Sequence, residues 1–170
     1  RGLVARAHRE RDAPRLDLGP IYIPYAADHV YAIAGAMRFI GMEAEVLPPP
    51  DAESVAKGEA LVSGKECHVY AIMAGDLLRA VERIGPGRTG SYFFFGATAP
   101  CLLTQFGDGY RLLLQERGVT NVRVLAPPLE QFIKVLGLRG VLQMWRGLVV
   151  IDLLHKWLCQ TRPYETRPGS

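Results

Sequence analysis

Apolar and polar positions change period several times along the chain, and each change marks an element. Ile21-Tyr22-Ile23-Pro24-Tyr25 reads as a short strand. Asp28 is a good N-cap for a helix to about Ile40, whose apolar positions Val30, Ile33, Ala34, Met37 and Ile40 follow helical spacing. Glu43 to Leu47 alternates like a strand and ends at Pro48-Pro49-Pro50. A short helix is expected over Ala52 to Ala60, then a loop at Ser63-Gly64. Helical spacing resumes after Cys67, through Val69, Ile72, Met73, Leu77, Ala80, Val81 and Ile84, and Gly85-Pro86-Gly87 closes it. Ser91-Tyr92-Phe93-Phe94-Phe95 is a continuous apolar run, as in a strand buried on both faces of a parallel sheet. A helix with Leu103, Phe106, Tyr110, Leu113 and Leu114 on one stripe ends at Gly118, and Asn121 to Leu125 is the fourth strand. Two more helices are expected, from Leu129 to Leu136 and from about Val141 to Gln160.

Strand and helix therefore alternate, which predicts an α/β fold: a Rossmann-like open parallel sheet of about four strands. The expected strand order is 2-1-3-4, with helices on both faces and a long C-terminal helix. Ligand sites in such sheets lie in loops leaving the carboxyl ends of the strands. Residues 1–18 read as a basic linker or arm, 19–165 as one Rossmann-like cysteine-bearing domain, and 166–170 as a tail.

Composition narrows the function classes. Apolar content of 49% and charged content of 22% are ordinary for a globular domain. No apolar run reaches the roughly 18–20 residues of a membrane span, so no membrane partner is expected. The chain opens on Arg1 without a signal-peptide pattern, and a piece of a longer polypeptide is expected. Three cysteines are too few for a disulfide framework, which favours a reducing cytoplasm. The net charge of +3 is mild. Arg1, Arg6, Arg9, Arg11 and Arg15 concentrate at the start, but Glu10, Asp12 and Asp17 sit among them and no aromatic residues interleave. A solvated linker fits this stretch better than a nucleic-acid arm.

Several familiar sites are excluded. Gly64-Lys65 lacks the phosphate-loop spacing, since five residues separate Gly58 from Gly64, and Glu66 stands where a Ser or Thr hydroxyl is needed. No G-x-G-x-x-G follows the first strand, and Gly90-Ser91 opens a strand rather than a nucleophile elbow.

The remaining chemistry lies with cysteine. Cys67 and Cys101 both sit where a loop turns into a helix, a place where partial positive charge and free N–H groups favour a thiolate. Such thiolates suit a metal or iron–sulfur cluster; simple burial is the alternative. Lys65 beside Cys67 can support a thiolate or an anionic thioester, or be a solvated loop lysine. Glu66, Asp76, Gln105 and Asp108 are the nearby polar residues, with Asp108 expected at the surface. Cys159 follows His155 by four positions and Asp152 by seven. That spacing can chelate a metal, but a small core cysteine beside Trp157 and Leu158 is the favoured reading.

Three blocks then resemble the 2-hydroxyacyl-CoA dehydratase and benzoyl-CoA reductase superfamily, in its activase-related branch. The first is Gly64-Lys65-Glu66-Cys67 with Gly75-Asp76-Leu77-Leu78 in the following helix. The second is an apolar strand, Pro100-Cys101, then Gln105-Phe106-Gly107 and Tyr110. The third is Gly147, Asp152-Leu153-Leu154 and Arg162-Pro163-Tyr164-Glu165. The chain departs from the family pattern at His68-Val69-Tyr70 and at Leu102-Leu103.

The resemblance implies a Rossmann-like domain supplying cysteines to a [4Fe-4S] cluster, with Cys67 and Cys101 as two ligands; Lys65, from its place beside Cys67, is the expected cofactor-binding residue. It implies electron delivery from an ATP-hydrolysing activase domain or subunit to an acyl-CoA, within a lyase or reductase system. A further ligand comes from elsewhere in that family. A dimer is expected, and nucleic acid is not. The alternatives are a non-catalytic α/β domain that docks an activase or paired subunit, and a metal-free CoA-binding module.

Overall fold

The computed structural model describes residues 18–96, 101–167 and 169. The arginine-rich arm and Pro100 lie outside them.

Four short strands form one parallel sheet: β1 (Ile21–Ile23), β2 (Ala44–Val46), β3 (Gly90–Phe93) and β4 (Val122–Leu125). Their order is β2-β1-β3-β4, as the alternating pattern predicts. Ile21 stands opposite Ala44 on one side and Ser91 on the other, and Gly90 to Phe93 align with Val122 to Leu125.

Successive strand residues point to opposite faces, and the core divides accordingly. Tyr22, Tyr92, Phe94, Val122 and Val124 face helices α3 (His68–Ile84) and α4 (Leu103–Glu116), meeting Leu77, Ile84, Phe106, Tyr110 and Leu114. Ile21, Ile23, Ala44 and Phe93 face α1 (Val30–Phe39) and α5 (Leu129–Thr161), meeting Val30, Ala34, Met37, Phe132 and Leu136. The Tyr92–Phe95 run is apolar throughout because each face takes every second residue.

The remaining helix, α2 (Ala52–Glu59), carries a reciprocal cap. Ser54 N donates to Asp51 Oδ1 at 2.7 Å, and Asp51 N donates to Ser54 Oγ at 3.0 Å. Helix α2 then crosses α3 with backbones almost touching. A Cβ on Gly58 would lie 1.9 Å from the Ala71 carbonyl oxygen, and one on Gly75 would lie 2.0 Å from that of Ser54. Ser54 therefore meets Gly75 while Gly58 meets Ala71, so the two helices run antiparallel.

Helix α5 refines the expected pair of C-terminal helices. Gly137 has φ 62° and ψ 177°, a backbone state that favours glycine, and it splits the segment in two. The second half begins immediately after Gly137 rather than near Val141. It lies antiparallel along α1: a Cβ on Gly140 would meet Ile40, one on Gly147 would meet Ala32, and His155 pairs with Asp28.

One local expectation is corrected. His29, not Asp28, occupies the N-cap position of α1, and no side chain caps that helix. The Asp28 carboxylate is drawn away by Tyr25 and His155.

The glycine crossing makes a sharp prediction. Gly75→Ala should lower unfolding free energy by about 3 kcal/mol, because the added methyl collides with backbone that cannot step aside. Gly35→Ala, where nothing lies within 4 Å, should raise it by up to about 1 kcal/mol. Urea denaturation of both variants measures the contrast, and equal effects would contradict the close crossing.

Candidate functional site

All strands are parallel, so the loops after β1, β2, β3 and β4 leave the sheet at one edge. Helix α4 starts there because it follows β3 directly. Helix α3 starts there for a different reason. Its last residue, Ile84, packs against Gly90 at the opposite, amino edge. Seventeen residues of helix span about 25 Å, which places its first residue beyond the carboxyl edge. Helix α2, antiparallel to α3, carries the chain up to that point.

Cys67 and Cys101 are thereby set at the carboxyl-edge ends of two helices that pack on the same face of the sheet. Cys67 is the N-cap residue of α3, with its side chain making no capping bond. Cys101 lies two residues before α4, and its carbonyl accepts from the Thr104 amide at 3.1 Å and hydroxyl at 2.9 Å. Neither helix has an acidic residue in its first turn to offset its positive end. Both thiols are free and exposed, which removes simple burial as their explanation.

Aromatic packing holds the start of α3 against the first half of α4. The Tyr70 ring stacks on Tyr110 with centroids 4.7 Å apart and meets Phe106 edge-on at 4.9 Å. The Tyr110 hydroxyl donates to the Tyr70 carbonyl at 2.9 Å, and the Tyr92 hydroxyl donates to that of Met73 at 2.9 Å. Burial pushes both hydroxyls above the usual tyrosine range, so they remain donors.

The loop before Cys67 is organised by Glu66. Its carboxylate accepts from the Ser63 amide at 2.9 Å, the Ser63 hydroxyl at 3.0 Å and the Lys65 amide at 3.1 Å. Its own backbone N–H, the Ser63 hydroxyl and these amides hold the carboxyl below the usual range against some desolvation. Lys65 is exposed beside this tied carboxylate. Gln105 is exposed, and so is Asp108, which pairs with Arg111 at 2.6 Å.

Asp76 does not belong to the cysteine edge. It is buried within α3, where Arg79 Nη1 reaches its Oδ1 at 3.1 Å and also bonds the carbonyls of Pro48 and Pro49. This arrangement ties α3 to the loop after β2.

The terminal-helix trio is dispersed. Cys159 is exposed rather than in the core, because α5 continues past the start of α1. His155 turns to Asp28, with Nε2 2.7 Å from Oδ2, and Asp152 turns to His29, with Oδ1 2.8 Å from Nε2. The two imidazoles meet edge-on at 5.7 Å. Hydrogen bonds from Tyr25 and then His155 hold the Asp28 carboxyl below the usual range. These two His–Asp pairs stand at the carboxyl end of β1 and were missed in the sequence. The available signals were the adjacent Asp28-His29 at a strand-to-helix turn and the three-residue spacing of Asp152 and His155.

Among the described residues, no three His, Cys, Asp or Glu side chains are grouped to hold a metal ion. As a donor set for a four-iron cluster, Cys67 and Cys101 supply two thiolates of the usual four. They fit half of such a site and no more. An apolar cavity of about 280 Å³ on the α1/α5 face, bordered by Met37, Phe93, Leu125 and Phe132, includes neither cysteine. No helix of the described residues is long and apolar enough to cross a membrane. No protein-family model matches the chain, and no curated protein or solved structure matches it.

Asp76 generates a pH prediction. Burial pushes its carboxyl up to about 6, and Arg79 only partly opposes this. The folded state thus holds a proton that the unfolded chain releases near pH 4, and this contribution to stability is lost as pH rises through about 6. The stability of Asp76→Asn relative to the unmodified chain should therefore grow by about 2–3 kcal/mol between pH 4 and pH 7. Chemical denaturation across that range measures it, and a pH-independent difference would rule out the buried proton.

Proposed function

We propose that this domain is half of an iron–sulfur site in a system of the 2-hydroxyacyl-CoA dehydratase type. It would take part in ATP-driven electron transfer to an acyl-CoA. The observation that carries this reading is the placement of two exposed cysteines at the carboxyl-edge ends of two helices that pack on the same face of the sheet. The resemblance of the blocks around Cys67, Cys101 and Asp152 points the same way.

In this reading Cys67 and Cys101 are the ligands from this chain, and a partner domain or subunit completes the set. The positive ends of α3 and α4 favour thiolate charge on the two cysteines. The Tyr70–Tyr110 stack and the Tyr110 hydrogen bond fasten the start of α3 to the body of α4. Lys65 adds a positive charge at the rim, where it suits an anionic thioester substrate. When bound, a [4Fe-4S] cluster supplies one-electron chemistry. The activase would be the electron donor, and the cytoplasm the expected setting.

Two measurements test this together. Anaerobic reconstitution with iron, sulfide and a small thiol to stand in for the partner's ligands should give thiolate-to-iron absorbance near roughly 400 nm above the protein-free control, lost in both Cys67→Ser and Cys101→Ser. Dibromobimane, fluorescent when it bridges two nearby thiols, should join Cys67 to Cys101 in the unmodified chain, as peptide mapping would reveal. Failure of the bridge shows that the thiols do not share a site and overturns the proposal, whatever the colour.

A further inference from the structure

The outer surface of α5 carries two neighbouring rows of large apolar side chains spaced four residues apart. One row is Leu138, Leu142, Val150, Leu154 and Leu158, interrupted by Arg146. The next is Trp145, Val149, Leu153 and Trp157. The inner surface of the same helix is used otherwise: Gly140, Met144, Gly147 and His155 lie against α1 and the domain.

These nine apolar residues are between 41% and 77% exposed. With the two Trp side chains offering ~150–250 Å² each and the seven Leu and Val side chains somewhat less, they leave on the order of 700 Å² of apolar surface in water. A monomer's largest apolar patch is usually only about 300–600 Å². A standard stable interface needs ~800 Å² per partner.

We propose that this face pairs with the same face of a second copy of the chain, forming an isologous dimer through α5. Rows spaced four apart are ridges with a groove between them, and two such surfaces interlock with helices crossing at about −50°. Each copy presents both ridge and groove, so the surface is self-complementary. A crossing centred near Val149 and Leu153 leaves each Arg146 about a turn away from the centre, free to reach water. The nearby Asp152 is already paired with His29. The contact leaves the cysteine edge untouched, because α3 and α4 lie on the other face of the sheet.

Sedimentation velocity on the full chain, from micromolar to hundred-micromolar concentration, tests the pairing. The expected mass is twice 18.8 kDa, halving in the double variant Val149→Lys with Leu153→Lys. Leu112→Lys, at an exposed position on α4, should keep the dimer. Trp145 and Trp157 are the two tryptophans of the chain, so emission should move to the red on dilution and in the double variant. Circular dichroism checks folding, and Leu142→Lys with Leu154→Lys serves as a second disruption should the first pair fail to fold. A mass of 18.8 kDa at every concentration overturns the proposal. So does a dimer that survives both double variants. Recruitment of a monomeric chain to phosphatidylserine vesicles would also overturn it, assigning the face to a lipid surface.

Discussion

The arrangement of the cysteine edge depends on two glycines that carry no chemistry. Gly58 and Gly75 let α2 and α3 approach until each backbone occupies the space a methyl group would fill. Only at that distance does α2 lie flat along α3 and return the chain above the sheet, so that α3 begins beyond the carboxyl edge. A bulkier contact would force the two helices apart, and any displacement of α3 strains its seat on the sheet. The Tyr70 and Met73 carbonyls of α3 would then leave the Tyr110 and Tyr92 hydroxyls, each buried and each holding one hydrogen bond. The position of Cys67 thus follows from a helix crossing on the far side of the same helix. The Asp76–Arg79 pair strengthens the connection by fastening α3 to the Pro48–Pro49 carbonyls.

What was legible in the sequence is what local periodicity encodes. The alternation of strands and helices, the continuous Tyr92–Phe95 run and the glycine and proline stops predict the sheet and its order. The break at Gly137 was legible as a gap between two helices, because a positive φ interrupts helical hydrogen bonding wherever it falls. Contacts between distant segments were not legible. Asp28 has the composition of an N-cap, yet its carboxylate is taken by a hydroxyl three residues earlier and an imidazole from α5. Cys159 has the apolar neighbours of a core residue, yet the helix has already left the domain at that point. The spacing of His155 and Cys159 suggested chelation because it is regular along one helix. In three dimensions His155 is paired across to α1.

The electrostatics around Cys67 show how a loop can carry charges of both signs without cancelling the helix end. Glu66 is adjacent in sequence, and an unrestrained carboxylate there would oppose a thiolate. It is instead folded back onto the amides of Ser63 and Lys65, where its charge is spent on closing the loop. Lys65, whose amide contributes to that closure, keeps its ammonium group outward. The first turns of α3 and α4 contain no acid. Two thiols therefore stand before two uncompensated helix ends, which is the environment a multi-thiolate metal site uses to offset its negative charge. Because Cys67 and Cys101 supply two thiolates on this face among the described residues, the rest of such a site has to approach from outside, and the exposure of both thiols leaves room for it.

The two faces of the sheet consequently carry different tasks. The α3/α4 face ends in the cysteines, and its aromatic packing is rigid and internally satisfied. The α1/α5 face ends in the paired His29–Asp152 and His155–Asp28 contacts, and its outer helix leaves a long apolar surface in water. If α5 pairs with a second copy, the two-fold axis lies on that side of the molecule and the cysteines lie on the opposite face of the sheet. Each edge then remains open to a separate partner. The His–Asp pairs hold α5 against α1 near its far end, where Gly137 alone would allow the helix to pivot. Rigid placement of α5 matters to a ridge-and-groove contact more than to the cysteine edge, because a helix free to swing would blur the register of both ridges at once.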